Sequence, residues 1–106
     1  MVRIMLVCSA GMSTSLLVTK MEEAAKNEGV DADIFAVASG AADEHLEDAT
    51  KPIDVLLLGP QVRFMEGQFA DKLKGTDVKL GVINMQDYGM MNGEAVLKTA
   101  LEMAGK

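Results

Sequence analysis

Cysteine occurs once in this chain, at Cys8, so no disulfide can form within it, and that usage points to the cytoplasm. No stretch reaches the roughly 18 consecutive apolar residues of a membrane-spanning helix. Met1-Val2-Arg3-Ile4 lacks the basic segment, long apolar stretch and small-residue cleavage site of a signal peptide. Basic residues are outnumbered: ten lysines and arginines face sixteen aspartates and glutamates, for a formal net charge of -6. That balance argues against a non-specific nucleic-acid binder, which needs a basic face. There is no basic amphipathic stretch to hold the chain on an anionic membrane either. His45 and Cys8 are the only soft or borderline metal ligands, and no ligand spacing relates them, so neither a metal nor another cofactor is expected.

Apolar residues are plentiful, at 49% of 106, enough for one sizeable core. Their arrangement alternates. Val2 to Val7 is a nearly continuous apolar run of strand length, as suits a strand covered on both faces. A helix follows, with a stripe at Leu17, Val18, Met21, Ala24 and Ala25, stopped at Gly29. A second, less apolar strand is expected at Asp33 to Ala38, nearer a sheet edge, and after Ser39-Gly40 a short polar helix to about Asp48. Ile53 to Leu58 is the most apolar run and should be central. It ends at Gly59-Pro60-Gln61, before a helix with Phe64, Met65, Phe69 and Leu73 on its apolar face. The fourth strand is expected at Val78 to Ile83, a loop from Asn84 to Gly93, and a last helix from Glu94 to Ala104.

Four strand–helix alternations with short connections predict one α/β domain over residues 1–106: a three-layer fold whose four-stranded parallel sheet has helices on both faces. With strand order 2-1-3-4, ligands belong at the carboxyl ends of strands one and three, where the order reverses. That would set Cys8 beside Gly59-Pro60-Gln61.

Cys8 opens a loop of small and polar residues, Ser9-Ala10-Gly11-Met12-Ser13, that feeds a helix N-terminus. A solitary cysteine at a strand end is often only a small buried hydrophobe. Here the loop has little with which to cover it, and unpaired amides plus the helix dipole concentrate positive potential. A thiol so placed is expected to ionise easily and act as a nucleophile facing a cup of N–H groups. The amides of residues 9 to 15 would bind a phosphoryl group on sulfur. Ser13, Thr14 and Ser15 add hydroxyl donors, although each could equally serve as a helix cap.

Spacing separates two phosphate chemistries. Cysteine phosphatases of the low-molecular-weight tyrosine type place an arginine after five intervening residues, and here that position is Thr14. Without a guanidinium clamp, a phosphocysteine can form and yet hydrolyse slowly. That describes a carrier better than a small cysteine-dependent phosphatase or an arsenate reductase. Arg63 is the nearest reservation, and its ordinary role is a solvated arginine in a first helical turn.

The stretch Cys8-Ser-Ala-Gly-Met-Ser-Thr-Ser-Leu-Leu-Val18 resembles the phosphocysteine loop of the soluble enzyme IIB components of the bacterial sugar phosphotransferase system, of the lactose/cellobiose/chitobiose type. The resemblance continues through Leu57-Leu58-Gly59-Pro60-Gln61-Val62, Asp87-Tyr88-Gly89 and Asn92-Gly93, across essentially the whole chain. It implies a phosphotransferase in which Cys8 takes a phosphoryl group from a phosphohistidine of a IIA protein. Cys8 then passes the group to a sugar held by the membrane transporter IIC, through which the chain would associate with the membrane. The sugar would be a β-linked disaccharide such as cellobiose or chitobiose. Met12, Gly59, Pro60, Gln61, Tyr88 and Met90 are expected at the partner surface, with Met12, Met90 and Met91 as an apolar collar around Cys8. Met5, Met21 and Met103 read as core. His45, among Asp43, Glu44, Glu47 and Asp48, reads as a solvated surface residue. With no large apolar surface stripe left over, the chain is expected to be a monomer.

Overall fold

The computed structural model of the protein describes residues 1–9, 12–47 and 52–105. Its centre is a parallel sheet of four strands, β1 (Val2–Cys8), β2 (Ala32–Ala38), β3 (Val55–Leu58) and β4 (Lys79–Val82), in the order β2-β1-β3-β4. This is the expected order. The most apolar runs lie at its centre: β3 is buried at every position, and β1 at all but Arg3. β2, at an edge, is mostly half-buried.

Alternation along the strands divides the core in two. On one face Ile4, Leu6, Ile34, Val55 and Leu57 pack with α1 (Met12–Glu28) and the C-terminal helix. On the other face Met5, Val7, Leu56 and Leu58 meet Ala42, Val62, Phe69 and Leu73. Those four come from α2 (Ala42–Glu47), from a 3-10 segment at Pro60–Met65, and from α3 (Glu66–Lys72) and its C-cap. α1 buries Leu17, Met21 and Ala25, spaced four apart, and stops at Gly29, whose φ of 69° is the left-handed value that glycine takes at least cost. Met5 and Met21 are fully buried, and Met103 packs against the core, as read from the sequence.

Three expectations need correction. The segment from Asn84 to Gly93 is not a loop. It contains α4 (Met85–Gly89), after which α5 (Gly93–Met103) begins at once. Phe64 is not on a core-facing stripe but 79% exposed. The 3-10 segment kinks at Val62 (φ -117°, ψ 21°), which turns Val62 inward and Phe64 out. His45 is half-buried, not solvated, because its ring lies 5.1 Å from that of Phe35, across which the Arg3 guanidinium sits at 4.9 Å. The expected end of the short polar helix at Asp48 lies outside the described residues.

At the amino-terminal edge the sheet is tied by Asp54. Its carboxylate accepts from the Arg3 amide at 2.8 Å, while its own amide donates to the Arg3 carbonyl at 2.9 Å. The Arg3 side chain donates to Asp33 at 2.9 Å. No described helix is long and apolar enough to cross a membrane.

Candidate phosphoryl-transfer site

The carboxyl edge of the sheet is where the chain brings its distant motifs together. Cys8 is the last residue of β1, in register with Ala38 of β2. On its other side, the Gly59 amide donates to the Val7 carbonyl at 2.8 Å, continuing the β1–β3 pairing by one residue. A Cβ placed on Gly59 would stand 3.7 Å from that of Cys8. Cys8 and the Gly59-Pro60-Gln61 turn are therefore adjacent at the switch point, as the strand order required.

The thiol is less open than the small loop residues suggest. Cys8 is 3% exposed. β1 runs one residue further than expected, and Cys8 is flanked within the sheet by both β2 and the Gly59 turn. α1 begins at Met12, so Ser13, Thr14 and Ser15 belong to its first turn. The first N–H groups of an α-helix have no i−4 carbonyl within the helix and point outward along its axis. Of the remaining loop residues, Ser9 is exposed, and Ala10 and Gly11 lie outside the described residues. The side chains of Met12, Ser13 and Thr14 lie outside the description too.

Gln61 and Tyr88 meet over this edge. Gln61 folds back so that its Oε1 occupies the space, 2.6 Å away, where a Gly59 Cβ would be. Its Nε2 donates to Tyr88 Oη at 2.7 Å. Tyr88 is held firmly. The Asn84 carboxamide oxygen caps α4 by accepting from the Gln86 and Asp87 amides at 2.9 and 3.1 Å. At the other end the Met91 amide donates to the Tyr88 carbonyl at 3.1 Å and the Asn92 amide to that of Asp87 at 2.9 Å, a Schellman pair. Met91 therefore takes the left-handed conformation (φ 52°) usually left to glycine, and its side chain packs on the core. Met91 is thus half-buried against the core and not free for the expected collar, while Met90 is 69% exposed.

Asn92-Gly93 is structural. Asn92 Oδ1 caps α5 through the Ala95 amide at 3.1 Å, and a Cβ on Gly93 would lie 2.4 Å from the Lys20 carbonyl carbon of α1. Only glycine lets the two helices approach this closely. The sequence signal was the Asn-Gly pair itself, directly before an apolar helix.

Large exposed apolar side chains gather in the segments that leave the carboxyl edge. Leu16 is 51% exposed in α1, Phe64 79% after β3, and Met85 60% and Met90 69% after β4. Phe64 and Leu16 were missed from the sequence, since each adjoins residues that do face the core. Arg63 is exposed, as expected.

Residues 3–99 match the family model described as the lactose/cellobiose-specific IIB subunit of the PTS system. The chain is 53% identical over 98 residues to the cellobiose-specific EIIB component of Lactococcus lactis subsp. lactis (strain IL1403), covering 92% of this chain and 91% of that protein. It is also 53% identical, with the same coverage, to the galactose-specific EIIB component of Lactococcus lactis subsp. cremoris (strain MG1363). Among solved structures, the cellobiose-specific phosphotransferase IIB component of Borrelia burgdorferi superposes with a TM-score of 0.77 at 39% identity, covering 98% of this chain and 92% of that one.

Proposed function

This chain belongs to the lactose/cellobiose-specific IIB subunits of the sugar phosphotransferase system, which are phosphotransferases, and on that footing we infer that Cys8 is the residue that carries the phosphoryl group. In this reading the whole chain, 1–106, is one IIB domain working as a monomer between a IIA donor and a IIC transporter. The Cys8 sulfur attacks the phosphorus of a IIA phosphohistidine. An S–P bond forms as the N–P bond breaks, and the thiol proton ends on the released imidazole. A sugar hydroxyl presented by IIC then takes the group, and the sulfur regains a proton. Sulfur suits both steps, since it is a stronger nucleophile than a hydroxyl oxygen and leaves more readily than an alkoxide.

The observation that carries this reading is the place of Cys8: at the carboxyl end of β1, at the switch point, ahead of the outward-facing amides of α1. The amides of Ser9, Ala10, Gly11, Met12, Ser13, Thr14 and Ser15 are the proposed cup, with the three hydroxyl side chains at 13 to 15 as further donors. Because Cys8 is 3% exposed, docking of the donor has to uncover the sulfur before attack. The docking surface is the carboxyl edge: Met12, the Gly59-Pro60-Gln61 turn, Tyr88 and Met90, extended by Phe64, Met85 and Leu16. Met12→Ser and Met90→Ser are expected to slow IIA-to-IIB transfer, and wild-type rates in both would remove the collar.

The transported sugar is expected to be a β-linked disaccharide, cellobiose or chitobiose among them, with the choice made by IIC. Equal identity to relatives named for cellobiose and for galactose supports leaving specificity outside this chain. The test is incubation with phosphoenolpyruvate, the general phosphotransfer proteins and a IIA protein, followed by intact-mass spectrometry. One added phosphoryl group is expected, absent in Cys8→Ser. Turnover of an aryl phosphate without those proteins would favour a cysteine-dependent phosphatase instead.

A further inference from the structure

The loop at Cys8 contains no arginine, so any side-chain donor to a phosphoryl group there beyond the hydroxyls at 13 to 15 must come from another segment. Two lie across the same edge. Gln61 is wedged against Gly59, the immediate neighbour of Cys8, and spends one Nε2–H on Tyr88 Oη. Tyr88 thus accepts through its oxygen, and its own hydroxyl proton has no acceptor among the described residues. A hydroxyl that is already accepting a hydrogen bond is a better donor, because the chain of bonds polarises it. The Asn84 cap and the turn at Met91 fix the backbone around Tyr88, and its ring packs against the core, so little has to be ordered when an anion arrives.

We propose that Gln61 is a positioning residue that aims the Tyr88 hydroxyl, and that this hydroxyl donates to an outer oxygen of the phosphoryl group on Cys8. The inference rests on Cys8 carrying that group, and it adds a donor outside the loop. The pair stands on the segments after β3 and β4, so it reports whether the two are correctly set when the donor docks. It also explains why residue 59 has no side chain: a Cβ there would displace the Gln61 carboxamide.

Tyr88→Phe and Gln61→Glu test it, alone and together, in single-turnover transfer from a phosphorylated IIA protein. Tyr88→Phe removes the donor and should lower the maximal rate about tenfold, one hydrogen bond to a charged group, with KM for phospho-IIA unchanged. Gln61→Glu keeps the shape and the contact but reverses its direction: the carboxylate accepts the Tyr88 proton and withdraws it from the phosphoryl group. A purely structural bridge would survive that change, whereas donation would not. Gln61→Glu should therefore cost about as much as Tyr88→Phe, and little more when added to it. Wild-type rates in Tyr88→Phe would overturn the proposal. So would a Gln61→Glu cost that is the same in both backgrounds, since that is charge repulsion alone, or an effect confined to KM, which is docking. Failure of the wild-type protein to take up phosphate would instead sink the assignment of Cys8.

Discussion

Replacing Gly93 by alanine should be the most damaging single-methyl change in this protein. The added Cβ would lie 2.4 Å from the Lys20 carbonyl carbon, 2.6 Å from Lys20 Cβ and 2.6 Å from the Met21 amide nitrogen. Two of these are backbone atoms of α1 that no rotamer change can move aside. Relief requires α5 to back away from α1. A gap of about 0.5–1 Å already forfeits a quarter to a half of the dispersion attraction between facing atoms. The contacts at stake involve Leu17 and Met21 of α1 and Val96, Leu97 and Ala100 of α5, all buried. Overpacking of this kind costs about 1–3 kcal/mol, and a clash with backbone belongs at the upper end, about 2–3 kcal/mol. For a domain of this size that is a fall in Tm of roughly 10–20 °C. Urea unfolding should show a lower midpoint at unchanged slope. Gly67→Ala is the control. Nothing stands within 4 Å of its Cβ position in α3, so alanine should stabilise there by about 0.5–1 kcal/mol. A Gly93→Ala protein within about 0.5 kcal/mol of wild type would refute the reasoning, since that is the range of an inconsequential surface change.

Three other outcomes follow from the same geometry. Gly59→Ala meets a movable side chain, Gln61 at 2.6 Å, in a backbone conformation (φ -64°, ψ 153°) open to any residue, so stability should stay within about 1 kcal/mol while phosphoryl transfer falls about tenfold. Denaturation and single-turnover kinetics on one preparation check both halves. Asp54→Ala leaves the Arg3 amide without its acceptor and should cost about 1–2 kcal/mol in urea unfolding, with Asp54→Asn recovering most of it. Phe64→Ser, at a side chain 79% exposed, should leave stability within about 0.5 kcal/mol and raise KM for the IIA donor; an unchanged KM would remove Phe64 from the docking surface.

The layered sheet, its strand order and the meeting of Cys8 with Gly59 could be read from the linear chain. Continuous apolar runs must be covered on both faces, and parallel strands joined by right-handed crossovers leave few orders to choose from. The helix stop at Gly29 was equally legible, because the left-handed conformation is a local property of glycine. Tertiary contact decided the rest. Phe64 and Val62 exchange roles because of one kink, which local composition does not encode. Cys8 is buried although the residues that follow it look too small to bury it. The hydrogen bond from Gln61 to Tyr88 joins residues 27 apart, and Gly93 matters only for what lies across from it on α1. Propensity and periodicity act over one or two turns of chain, so they specify elements and faces. Distances between side chains on different elements depend on how those faces finally seat.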